Sequence, residues 1–199
     1  MSGGSFPTSA DTVKKIAASG FTDAIEMLAI IEVLEAGNVG ATPALNAAGA
    51  GRAAGHIQRA LFTRLHFLVA RAYSKSRDGD LHARRAFDLL KSHAVAKEMQ
   101  NPGDLAEARQ FWVKCCGDHR LQRFLHFRDK FLAHLGEPEP GQDIPTYGEV
   151  FAIARQTATA LEKLAHVTGV VGLSLESQIP AHKESAEKFW EPWVKGEKK

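Results

Sequence analysis

Leu121-Gln122-Arg123-Phe124-Leu125-His126-Phe127-Arg128-Asp129-Lys130-Phe131-Leu132-Ala133-His134-Leu135-Gly136 carries large apolar side chains at 121, 124, 127, 131 and 135. Steps of three and four residues make the stripe of an amphipathic helix. Gly136 supplies a stop compatible with left-handed backbone, and Pro138 and Pro140 follow it.

The same periodicity runs outward in both directions. Downstream, Thr146 and Glu149 have the spacing of a capping box, and Tyr147, Val150, Phe151, Ala154, Ala158, Leu161 and Leu164 continue as a long helix. A last helical piece after Pro180 ends with Phe189, Trp190 and Trp193, which are expected to dock on the bundle. Upstream, Gly117-Asp118 breaks the chain behind Phe111, Trp112 and Val113. A third helix is expected from a cap at Asp80 to the stop at Asn101-Pro102-Gly103, with Leu81, Phe87, Leu90 and Ala94 on it. Ile57, Leu61, Leu65, Leu68 and Ala72 mark a second, ended near Arg77-Asp78-Gly79. The first carries Val13, Ile16, Phe21, Ala24, Leu28, Ile31 and Leu34, with a bend expected at Gly20 and a stop at Gly37-Asn38. No segment of comparable length alternates like a strand, so the fold class is all-α.

Residues 1–199 are expected to form one domain, with a flexible tail over 1–9, an Ala- and Gly-rich loop over 36–55 and a tail helix over 180–199. The loop is not a nucleotide-binding turn, because its glycines have the wrong spacing and no strand precedes them. A 44% hydrophobic and 24% charged composition is that of a globular protein. The longest apolar stretch, Val167 to Leu175, is too short to span a bilayer and the start lacks the pattern of a leader, so the expectation is a cytoplasmic protein without membrane contact. Adjacent Cys115 and Cys116 cannot staple distant segments and read as buried free thiols.

Chemistry concentrates between Arg128 and His134. On an ideal helix at about 100° per residue the two fall roughly 60° to either side of Phe131, bordering one apolar face. If a second subunit covers that face, two such pairs meet across a twofold axis. An arginine offers a planar fork of donors to a phosphate, and a histidine exchanges a proton near neutral pH. With RNA the nucleophile is already in the substrate, since the 2′-hydroxyl attacks the adjacent phosphorus once positioned and deprotonated. Neither a metal nor a protein nucleophile is then needed. The same two side chains are also ordinary caps for the last carbonyls of a helix, and residue types alone do not choose between these uses.

Overall charge is only +2, but 109–134 holds six Lys or Arg (109, 114, 120, 123, 128 and 130) against Asp118 and Asp129, a local excess of four that leaves the rest net acidic. Interleaved Phe and Trp make this stripe a candidate RNA contact, with Lys114, Arg120 and Arg123 as its binding residues; a solvated face with snorkelling arginines has the same composition. His119, His126 and His134 lack a metal-ligand spacing. His66, among Leu65, Phe67 and Leu68, reads as a core or interface histidine that borders the same cleft.

Arg128-Asp129-Lys130-Phe131-Leu132-Ala133-His134, near a helix end in an all-α chain, resembles the R-x(4–6)-H motif of the HEPN superfamily, here with an interval of five. Ala133-His134 followed by a loop to Pro145-Thr146-Tyr147 and a long helix looks like the AbiU-type abortive-infection branch, over roughly residues 10 to 170. The resemblance implies an antiparallel helical bundle with extra terminal helices. It also implies a homodimer with facing motifs, and a ribonuclease without metal or other cofactor, in a toxin or phage-defence setting where an antitoxin is a candidate partner. It carries Arg128 and His134 as catalytic, Asp129 as a supporting residue and Lys130 as part of the motif. The alternative is a non-catalytic HEPN-like module that binds nucleotide or RNA, or only dimerises.

Overall fold

The buried side chains select the helices. The computed structural model describes residues 8–38, 41–75, 77, 79–133, 144–170 and 174–194, and among these residues there is no strand. α1 (Ser9–Asn38) lies against α3 (Gly51–Ala72), α4 (Ala83–Leu89), α8 (Tyr147–Thr168) and α9 (Ile179–Val194). α6 (Leu105–Cys116) and α7 (His119–Phe127) also pack on α8. α1 and α8 meet through small residues: Ala17, Ala24, Ala154, Ala158 and Ala165 are all essentially without exposure. α1 runs unbroken through Gly20. A Cβ there would sit 3.0 Å from Leu161 Cδ2, so the glycine serves close approach of α8.

Capping explains where several helices begin. Thr8 and Asp11 cap α1 reciprocally, the Thr8 hydroxyl accepting from the Asp11 amide at 3.1 Å and the Asp11 carboxylate from the Thr8 amide at 3.2 Å. The helix therefore starts inside the expected tail, of which 1–7 lie outside the described residues. Thr146 and Glu149 form the expected capping box of α8, with bonds of 2.9 and 3.3 Å.

Three expectations are corrected. Residues 36–55 are mostly helical: α1 runs to Asn38, α2 spans Ala41–Ala47, and α3 begins at Gly51. Alanine is the strongest helix former, and Ala41, Leu45 and Ala54 bury themselves in a small cluster with Trp190. α3 ends at Ala72, with Tyr73 as its cap residue, because the Tyr73 ring turns inward to stack on Trp112 at 4.9 Å and its hydroxyl meets Thr157 Oγ1 at 3.1 Å. The third helix is two, α4 and α5 (His93–Lys97), and His82 rather than Asp80 occupies the cap position of the first. Ser92 is extended at the break, and Arg109 Nη2 donates to the Leu90 carbonyl there.

α9 docks as expected. Trp190 is 2% exposed and its Nε1 donates to the Val33 carbonyl at 2.8 Å; a Cβ on Gly37 would lie 2.7 Å from the indole. Phe189 remains 55% exposed. No helix among the described residues is long and apolar enough to cross a membrane. Trp190→Ala should lower unfolding free energy by roughly 3 kcal/mol in urea titrations, whereas Phe189→Ala should change it by less than about 0.5 kcal/mol.

Candidate active site

Asp118 starts the segment that carries the motif. Its carboxylate accepts from the Arg120 amide at 2.9 Å, fixing the entry of α7 after the break at Gly117. Leu121 and Phe124 are buried beneath it. The aromatic stripe then meets α3: the His66 ring stacks on Phe124 at 4.6 Å with planes within 3°, and Phe127 lies 5.6 Å from the same imidazole. Phe62 stands edge-on to His66 at 4.4 Å and reaches Tyr147 of α8 at 4.5 Å. Three helices thus share one aromatic cluster, and it lies immediately before Arg128.

From Arg128 to Ala133 the chain is π-helical. This corrects the expectation of one α-helix through the stripe as far as Ala133, because i→i+5 bonding widens the turn. Residues 134–143, His134 among them, lie outside the described residues.

Arg128 is three-quarters buried, with its side chain 26% exposed, and its Nη2 meets Asp129 Oδ1 at 2.8 Å. It lines a cavity of about 240 Å³ together with Arg64, Phe67, Leu68, Arg71 and Ser74. Its Nε has no hydrogen-bond partner among the described residues. Asp129 is thus brought to Arg128, while Lys130 stands exposed.

The expected RNA-binding residues divide. The Arg120 guanidinium closes back on Asp118, with Nη2 to Oδ2 at 2.6 Å. Arg123 pairs with Glu149, joining α7 to the capping box of α8. Thr146 and Arg123 together hold the Glu149 carboxyl below its usual range, the Thr146 amide being the larger cause. Lys114 is exposed on α6. The residues that do share a cavity with Arg128, namely Arg64, Phe67 and Arg71, were not singled out from the sequence, although their spacing of three and seven on one helix marks a common face.

Other candidates are structural. Cys115 is buried and Cys116 half-buried, both as free thiols, and burial pushes the Cys115 thiol up to about 11. A thiolate is disfavoured there. Among the described residues, no three His, Cys, Asp or Glu side chains cluster to hold a metal. A larger cavity of about 790 Å³ between α1 and α9 has Glu32, Glu35, Glu184 and Glu187 on its rim, a poor host for phosphate, and holds none of the expected site residues.

A model of the HEPN_AbiU2 family, described as AbiU2, matches residues 23–189. The chain belongs to that family. Comparison with curated proteins and with solved structures returned no match. In this AbiU2-family chain the match spans the aromatic cluster and the π-helical turn, and it ends one residue before Trp190.

His66 makes that cluster sensitive to acid. Its Nδ1 lies 2.8 Å from the Phe62 carbonyl, which only accepts, so Nδ1 carries the proton and the buried Nε2 is left without a partner among the described residues. Burial lowers the imidazole to about 4. The unfolded chain then binds a proton that the folded chain does not, so the stability contributed by the neutral ring is complete above about pH 6.5 and is lost as pH falls toward 4. A shift of that size corresponds to about 3 kcal/mol. His66→Leu should flatten the fall in urea midpoint between pH 7 and pH 4.5 relative to wild type.

Proposed function

We propose that this AbiU2-family chain is a metal-independent endoribonuclease that works as a homodimer in a toxin or phage-defence setting. The observation that carries the reading is Arg128, held by Asp129 at the start of a π-helical turn and turned into a cavity rather than into solvent. π-turns concentrate at functional sites, and a guanidinium three-quarters buried beside one exposed carboxylate still has donors left for a ligand.

Arg128 would receive the non-bridging oxygens of the scissile phosphate and stabilise the charge that grows on them as the 2′-oxygen attacks. His134 would move the proton, taking it from the 2′-hydroxyl or giving it to the departing 5′-oxygen. The products are a 2′,3′-cyclic phosphate and a free 5′-hydroxyl. Asp129 keeps Arg128 in position and Lys130 adds charge for the strand. Lys114, exposed on α6, would be free to meet a phosphate of the strand, whereas Arg120 and Arg123 act through the helix ends they secure. All of 1–199 is taken as one domain, so that α9 and α1 stiffen the frame behind the site.

Purified protein should cut single-stranded RNA in excess chelator and leave the cyclic phosphate. Arg128→Ala should lower the rate about 10²- to 10³-fold and His134→Ala about 10²- to 10⁴-fold, with helical content unchanged by circular dichroism. Cleavage at the wild-type rate by either variant contradicts the roles given. Salt-sensitive RNA binding without turnover would make the chain a binding module instead.

A further inference from the structure

Arg64, Phe67, Leu68 and Arg71 stand at i, i+3, i+4 and i+7 of α3 and therefore on one face, and all line the cavity that holds Arg128. Leu68 is the buried floor at 1% exposure, and Phe67 rises from it 45% exposed. The arginine side chains on either side of Phe67 are 50% and 46% exposed. Each is fixed from behind by α1: Arg64 gives Nε and Nη2 to Glu26 at 2.7 and 2.9 Å, and Arg71 pairs with Asp23. A guanidinium has five N–H groups, so a carboxylate along one edge leaves donors on the other and sets their direction. The two arginines are about 10 Å apart along the helix axis and can meet different phosphates.

We propose that this face of α3 is a binding track for single-stranded RNA, in which Phe67 stacks one unpaired base beside the scissile bond while Arg64 and Arg71 hold the flanking phosphates. The proposal rests on the reading of Arg128 as the residue that meets the scissile phosphate. A cavity of about 240 Å³ admits a base only when it is splayed from its neighbours, which selects single strands over duplex. A second copy of the chain fits the face less well. A twofold axis through Phe67 would set Arg64 and Arg71 against their own copies, like charge against like charge.

Binding should be measured with a fluorescent 2′-O-methyl oligonucleotide, which cannot be cut, so that affinity is read apart from turnover. Phe67→Ala should weaken it about tenfold, within the range of one lost base stack. Phe67→Glu should weaken it further, and Phe67→Trp should hold near wild-type affinity. Unchanged binding by Phe67→Ala and Phe67→Glu, in a protein whose wild type cuts RNA, overturns the track and leaves the ribonuclease reading standing. Weakened binding in a protein whose wild type cuts nothing supports the track and removes the ribonuclease reading. If Phe67→Glu turns a dimer into a monomer by light scattering and affinity falls only with dimer content, the face is a subunit interface and the track is overturned.

Discussion

The stacked rings of His66 and Phe124 tie α3 to α7 at the point where the motif begins. An imidazole in so dry a place must stay neutral, and it does so by spending its one N–H on the carbonyl of Phe62 in its own helix. The neutral ring packs flat on Phe124 and leaves Phe62 and Phe127 to close around it. One residue beyond Phe127 stands Arg128, where the π-helical turn begins. Charging the imidazole would cost the cluster its packing.

Arginines in this chain do two kinds of work, and their partners tell them apart. Arg120, Arg123 and Arg155 are committed to Asp118, Glu149 and Glu35, joining helix ends or neighbouring helices, where exposed pairs contribute little energy but fix geometry. Arg64, Arg71 and Arg128 also have acidic partners, yet all three converge on one cavity beside an exposed phenylalanine. Convergence, more than charge count, marks the site. The groove between α1 and α9, lined by Glu32, Glu35, Glu184, Glu187 and Glu191 with Lys183 and Lys188, carries a net negative charge instead.

Much of the fold was legible because its signals are local. Thr146 and Glu149 form their box, and Gly117-Asp118 breaks and caps, each for a reason written within a few residues. The segment 36–55 misled because the burial of Ala41 and Leu45 depends on Trp190, distant in sequence, and a run of alanines without large neighbours resembles a loop. The π-turn left only a trace. Phe127 and Phe131 are four apart, a step that overshoots the α-helical period by about 40°, which a wider turn absorbs. Of the candidate site, Arg128 and Asp129 stand within the motif itself, whereas Arg64, Phe67 and Arg71 carry no motif and lie beside the buried phase of α3 at Leu61, Leu65 and Leu68. The charge excess over 109–134 counts Arg120 and Arg123, and a count of charges does not see Asp118 and Glu149, the acids they face.

Attack by the substrate's own 2′-hydroxyl is the chemistry on which every assigned role depends, and a DNA oligonucleotide containing a single ribonucleotide tests it directly. In excess chelator the protein should cut that strand once, on the 3′ side of the ribonucleotide, leaving a 2′,3′-cyclic phosphate. Cleavage at deoxynucleotides, or a cut beside the ribonucleotide that leaves a 5′-phosphate, would contradict it.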